Sequence, residues 1–126
     1  MPSHTETLLA DVAGSNQSPT NVGSEIVNKA SRRRIDFNEY GFTRLQWGVD
    51  SAGVQLRSEY SLDDGATWLL LTNPVPANPS VGDNAYGTWD PLPADLQAAP
   101  YSVLCRAVLT GSGGGIRVRY VTLQMR

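Results

Sequence analysis

The chain has 126 residues, a formal net charge of −2 and 17% charged residues. That length predicts one domain with its own core, and the weak negative charge excludes a global basic field that would recruit nucleic acid. A single cysteine, Cys105, excludes an internal disulfide, and the sequence lacks the ~18-residue apolar run of a membrane span. Residues 1–7 have neither the basic nor the apolar region of a signal peptide.

Residues 1–34 are rich in Ser, Thr, Asn and Gly and are predicted to form an extended N-terminal arm. Such a segment buries too little apolar surface to fold alone, so we expect it to lie on its own domain or on a neighbouring subunit. Its apolar islands and its arginine cluster are candidate partner-binding residues: Leu8, Leu9, Ile26, Val27, Arg32, Arg33 and Arg34. The cluster favours a carboxylate-rich protein surface over nucleic acid phosphates, because the chain as a whole is acidic.

Residues 35–126 alternate between apolar and polar positions, with turns that contain Gly, Pro and Asp. Clear alternation begins at Leu45, Val54 and Val103, and residues 67–72 form a continuous apolar strand. The pattern predicts an all-β domain, a single antiparallel β-sandwich that is immunoglobulin-like or a jelly-roll. Residues 93–99 are expected to form one helical turn. The glycine-rich segment 111–115 fits a β-hairpin tip better than a phosphate-binding loop, because no Lys-Ser/Thr and no helix follow it.

The last predicted strand, residues 116–125, carries Arg117 and Arg119 on one face, since side chains two residues apart point the same way. Two interpretations stay open. The arginines either bind carboxylates of a neighbouring subunit or protect an edge strand against uncontrolled pairing. Arg57 and Arg106 lie on strands that could belong to the same sheet.

The stretch Ser61-Leu62-Asp63-Asp64-Gly65-Ala66-Thr67-Trp68 predicts a stabilised hairpin turn. The Ser61 and Asp63 side chains can accept backbone N–H groups within the turn, and Gly65 permits a positive φ. Thr67 and Trp68 begin the next strand, where the indole can cover the turn. The stretch resembles the Asp-box of sialidase propellers, but it occurs once, whereas a propeller needs repeats. We therefore expect these residues to have a structural role.

No arrangement of residues in the sequence predicts catalysis, a metal site or a cofactor. His4 is the only histidine, so a histidine-based triad cannot be assembled. The acidic residues that could act in pairs lie in turns and loops: Asp63, Asp64, Asp83, Asp90 and Asp95. Calcium binding by Asp63, Asp64 and Asp83 is the alternative to solvated loop acids. We expect the protein not to be an enzyme.

Tyr86 and Trp89 fall in a predicted surface loop and are candidates for a sugar-stacking platform. Trp47 and Trp68 lie within apolar patterns, so we expect both in the core. A platform of this kind is typical of a carbohydrate-binding module.

The order of features from about residue 40 onward resembles small virion proteins of tailed bacteriophages. The resemblance is carried by residues 56–68, 89–93, 103–108 and 121–126, together with the glycine-rich segment. This family implies a β-sandwich without enzymatic activity that binds other virion subunits, is made in the host cytoplasm and resides in the virion. The expected role is capsid decoration or cement. Expected partners are the major capsid protein or other virion subunits, in a homo-oligomer or a multi-copy assembly, with no nucleic acid or membrane. A tail or fibre accessory module that binds carbohydrate is the alternative.

Overall fold

The computed structural model describes residues 4–10, 16–17, 25–27, 33–49, 54–76, 85–97, 102–111 and 116–126. Eleven strands and one short helix lie in these ranges. The elements are β1 His4–Ala10, β2 Asn16–Gln17, β3 Glu25–Val27, β4 Arg33–Ile35, β5 Phe42–Val49, β6 Val54–Ser61, β7 Leu69–Pro76, β8 Ala85–Tyr86, β9 Asp90–Pro91, α1 Ala94–Gln97, β10 Val103–Gly111 and β11 Ile116–Met125.

The strands form two antiparallel sheets packed against each other, which confirms the predicted all-β sandwich. The six-stranded sheet has the order β1-β11-β5-β8, with β2 also paired to β11 and β9 to β5. The five-stranded sheet has the order β3-β10-β6-β7, with β4 also paired to β10. The sequence predicts that β10 and β11 form a hairpin, but this prediction is wrong, because the two strands belong to different sheets. Residues 112–115 lie outside the described residues.

Alternating side chains fill the space between the sheets. In β6 the apolar positions Val54, Leu56 and Tyr60 are buried, while Gln55 is exposed. The four predicted core positions of β10 are at most 1% exposed: Val103, Cys105, Ala107 and Leu109. They pack in one cluster with residues of the six-stranded sheet such as Leu45, Trp47 and Leu123. The period-two pattern therefore places the inner faces correctly.

The described parts of the predicted N-terminal arm are strands of the sandwich. β1 pairs with β11 from His4 to Ala10, and Leu8 is fully buried in the core. β3 and β4 both pair with β10, so the expected boundary between residues 34 and 35 falls inside β4. Leu8 is therefore unavailable to a partner, which corrects that prediction. Pairing with β11 satisfies the backbone groups on one side of β1, and the core removes Leu8 from water.

Candidate functional site

The segment from Ser61 to Trp68 is a turn held by its own side chains. The Ser61 hydroxyl donates to Asp63 Oδ1 at 2.7 Å and accepts the Gly65 N–H at 2.8 Å. Asp63 Oδ1 also accepts the Thr67 N–H at 2.8 Å, and the Thr67 hydroxyl donates to Oδ2. Asp64 and Gly65 take positive φ values of 62° and 95°. Both Asp63 oxygens are thus used to hold the turn.

The electrostatics of Asp63 agree with this structural role. Hydrogen bonds from the Thr67 hydroxyl, the Thr67 N–H and Ser61 lower the pKa of Asp63 to about 2. The carboxylate therefore stays charged at neutral pH, and its acceptor capacity is spent inside the turn.

Three exposed leucines lie in the turn or directly after it in the sequence. Leu62 in the turn is 40% exposed, and Leu69 and Leu70 at the start of β7 are 45% and 44% exposed. β7 is the outermost strand of the five-stranded sheet. The sequence pattern of residues 67–72 is that of a continuous apolar strand and does not distinguish Leu69 and Leu70 from the buried Leu71.

The outer face of the five-stranded sheet carries arginines that are paired within the chain. The Glu59 carboxylate accepts Arg57 Nε at 3.0 Å and Arg106 Nη2 at 2.7 Å. The Arg106 guanidinium also lies 4.0 Å from the centre of the Trp68 ring, so this half-buried indole covers an ion pair rather than lying in the core. Arg34 pairs with Asp64, which links β4 to the turn.

The other predicted partner-binding arginines are placed only in part. Arg32 lies outside the described residues. Only the backbone of Arg33 is described, and it pairs with Cys105. Arg117 pairs with Asn16, and Arg119 lies where the pairing of β11 with β5 shifts register. β11 lies between β1 and β5, so the prediction that it is an edge strand is wrong.

Arg57 and Arg106 lie on the paired strands β6 and β10 of the five-stranded sheet, so the prediction that their strands share a sheet is confirmed, whereas Arg117 and Arg119 lie on β11 of the other sheet. The structure describes only the backbone of three other predicted partner-binding residues. In the strand pairings, Leu9 lies opposite Val121, Ile26 opposite Leu109 and Val27 opposite Val108.

A second group of side chains, the aromatic–arginine cluster, lies at one end of the six-stranded sheet and was not predicted as a unit. The Arg44 guanidinium carbon lies 4.2 Å from the Tyr86 ring centre and 4.5 Å from that of Trp89. The Arg126 guanidinium carbon lies 4.4 Å from the Trp89 ring centre and 5.9 Å from that of Phe42. Cation–π attraction holds these groups together. The two predicted sugar-binding aromatics are therefore brought together, but with guanidinium groups against their rings.

The loop aspartates that could have formed a catalytic pair have structural partners where they are described. Asp90 accepts the backbone and side-chain N–H groups of Asn73 at 3.1 and 3.2 Å. Asp95 accepts the Tyr60 hydroxyl at 2.9 Å, and burial together with this bond raises the pKa of Tyr60 to about 12. Asp83 lies outside the described residues. Among the residues that are described, no three His, Cys, Asp or Glu side chains are grouped as a metal site would require.

No protein-family model, curated protein or solved structure matches this chain. Within the described ranges, no helix has the length and apolar character needed to cross a membrane.

Proposed function

We propose that this protein is a non-enzymatic structural subunit of a virion, a capsid decoration or cement protein that binds and stabilises neighbouring capsid subunits. The proposal starts from the sequence resemblance to small phage virion proteins. The observation that supports it best is that three leucines close in sequence near the edge strand β7, Leu62, Leu69 and Leu70, are each 40–45% exposed. Apolar side chains that are grouped on a surface are typical of protein-binding sites.

The turn gives these leucines a fixed position. Leu62 lies inside the hydrogen-bonded turn, and Leu69 follows it at the start of β7. A surface that is ordered before binding loses less conformational entropy when a partner arrives. Complete burial of a leucine side chain contributes about 1.5–3 kcal/mol, so covering these half-exposed leucines adds roughly 1 kcal/mol each. Such an interface is weak in a single copy and becomes effective through many copies on one particle.

Occupancy on capsids that lack this protein tests the proposal. We expect a Leu69→Ser, Leu70→Ser double variant to lose most of its occupancy in electron microscopy reconstructions. Gln55→Ser is the matched control, because Gln55 is an exposed residue of the adjacent strand β6. Unchanged occupancy of the leucine variant, or no binding of the wild-type protein to capsids, would contradict the proposal.

A carbohydrate-binding accessory module is the second candidate, and one observation favours it. Tyr86 is 43% exposed, and its hydroxyl accepts Gln46 Nε2 at 3.2 Å, which places an aromatic ring beside an amide. Sugar binding commonly uses such a combination of ring and polar groups. A glycan-binding measurement with Tyr86→Ala tests this candidate, and absence of binding by the wild-type protein would dismiss it.

A further inference from the structure

The aromatic–arginine cluster borders a cleft on the six-stranded sheet. The residues that line it are His4, Thr5, Arg44, Trp89, Gln124, Met125 and Arg126. The Met125 side chain is fully buried. The cleft therefore presents two guanidinium groups, one indole, one amide and the imidazole of His4, whereas the Met125 side chain belongs to the core.

Both arginines are held in place by neighbouring groups. Arg44 Nε donates to Gln124 Oε1 at 2.7 Å. The main chain of Arg126 is fixed by N–H groups of Gly41 and Phe42, which donate to its oxygen at 2.8 and 2.9 Å. Each guanidinium also contacts the Trp89 ring. This ordering lowers the entropy that the side chains would otherwise lose on binding a ligand.

The charge of the cleft is unbalanced. On the opposite sheet, Arg34, Arg57 and Arg106 each have a carboxylate partner. Within the described part of the chain, no aspartate or glutamate side chain forms an ion pair with Arg44 or Arg126. A guanidinium offers five N–H donors, and the bond to Gln124 uses one of those on Arg44. The remaining donors suit a planar carboxylate.

We propose that this cleft binds an acidic peptide segment of another protein, with one carboxylate on Arg44 and a second on Arg126. Both guanidinium carbons lie within 4.5 Å of the same ring centre. In an extended peptide, side chains two residues apart point the same way and are separated by roughly 6.5–7 Å. Two acidic residues in alternate positions therefore fit the pair of guanidinium groups better than two adjacent ones.

A peptide fits the cluster better than an acidic sugar. Sugars stack on free aromatic faces, but the Trp89 ring, the aromatic group that lines the cleft, is already contacted by two guanidinium groups. Phe42, beside Arg126, is 40% exposed and offers an apolar contact for a residue next to the acids. The cleft and the exposed leucines lie on different sheets, so this inference does not depend on the proposed virion role.

Fluorescence anisotropy with a labelled five-residue peptide tests the inference on the full chain. The peptide carries glutamates at its second and fourth positions and leucine between them. One control peptide has glutamines in place of the glutamates, and another has the two glutamates adjacent. We expect the alternate-glutamate peptide to bind most tightly, with an affinity that falls as salt is raised.

Variants assign the binding to the cleft. Arg44→Gln with Arg126→Gln should weaken binding tenfold or more, whereas Arg34→Gln, which removes one positive charge from a paired arginine on the other sheet, should leave it unchanged. Arg44→Lys with Arg126→Lys preserves the charge and the fold but removes the bidentate geometry, so it should give an intermediate affinity. Equal binding of the glutamine peptide, or wild-type affinity in the glutamine variant, would overturn the inference. Tighter binding of a uronic acid oligosaccharide than of the peptide would also overturn it.

Discussion

A buried hydrogen-bond pair between β6 and β7 gives a sharp prediction about stability. The pairing of these strands shifts register on both sides of Ser58. At this irregularity, the Thr72 side-chain oxygen accepts the Ser58 N–H at 3.1 Å and lies 2.8 Å from the Ser58 hydroxyl. Both residues are at most 2% exposed. The Thr72 hydroxyl thus replaces a backbone acceptor that the regular ladder would supply.

Thr72→Val removes this acceptor while keeping the shape of the side chain. The Ser58 N–H is then buried without its partner, and the Ser58 hydroxyl loses a neighbour. A buried polar group that loses its hydrogen bond costs about 1–3 kcal/mol. The Ser58 hydroxyl can rotate, and valine has nearly the same shape as threonine. We therefore expect the free energy of unfolding to fall by about 2 kcal/mol, chiefly because the Ser58 N–H loses its acceptor.

Urea unfolding measures this change directly. With a slope of about 1–3 kcal/mol per molar urea, the midpoint should fall by about 1 M while the slope stays constant. Thr43→Val is the matched control. Thr43 is also fully buried, but its hydroxyl has no hydrogen-bond partner among the described residues. Replacing that hydroxyl with a methyl group should leave stability unchanged or raise it.

The comparison of the two valine variants can refute the reasoning. Equal midpoints for Thr72→Val and Thr43→Val would show that the contact with Ser58 has no special importance. Ser58→Ala added to Thr72→Val removes one of the groups left without a partner, so the double variant should be less destabilised than the sum of the single variants. Strict additivity would mean that the two hydroxyl groups do not act as a unit.

Three further predictions follow from individual groups. The pKa of Asp63 is lowered to about 2, so its contribution to stability is complete above its ordinary value of 3.8 and is lost as the pH falls through 2. Urea midpoints should fall over that range for the wild type and change less for Asp63→Asn; parallel curves would contradict this. Burial raises the pKa of Cys105 to about 12, so a thiol reagent at neutral pH should modify the native protein far more slowly than the urea-unfolded protein. Tyr60→Phe removes the donor to Asp95 and should lower the free energy of unfolding by about 1 kcal/mol in urea titrations; no change would mean that the bond is replaced by solvent.

Local patterns predicted the inner faces of the sandwich because burial follows alternation along one strand. The buried positions of β10 follow such an alternation. The helical turn at Ala94–Gln97 was also predicted, because it depends on residues that are close in sequence. The hydrogen bonds around Asp63 also depend on residues close in sequence. The order of strands in the sheets does not, since β1 pairs with the last strand and places Leu8 in the core. Because most residues of this N-terminal segment are polar, its composition did not predict that β1 pairs with β11.

The aromatic–arginine cluster shows why surface sites are harder to predict. Arg44, Trp89 and Arg126 are far apart in sequence, and no spacing between them marks a shared site. They meet because β11 pairs with β5 and because the short strands β8 and β9, on either side of Trp89, also pair with β5. The sequence around Trp89 and Tyr86 predicts exposed loop aromatics, but it contains no signal for the guanidinium groups that contact their rings.

The edge of β7 indicates how a partner would bind there. Pro74 and Pro76 have no N–H group, and the Asn73 N–H donates to Asp90 at 3.1 Å. The second half of this edge is thus poorly suited to hydrogen-bond another strand, a common protection against sheet extension. At the other end, Leu69 and Leu70 are 45% and 44% exposed. A partner is therefore expected to bind the leucine side chains rather than extend the sheet. If strand addition were the mechanism, its backbone hydrogen bonds would survive substitution of both leucines by serine, and the capsid occupancy of that variant would be retained.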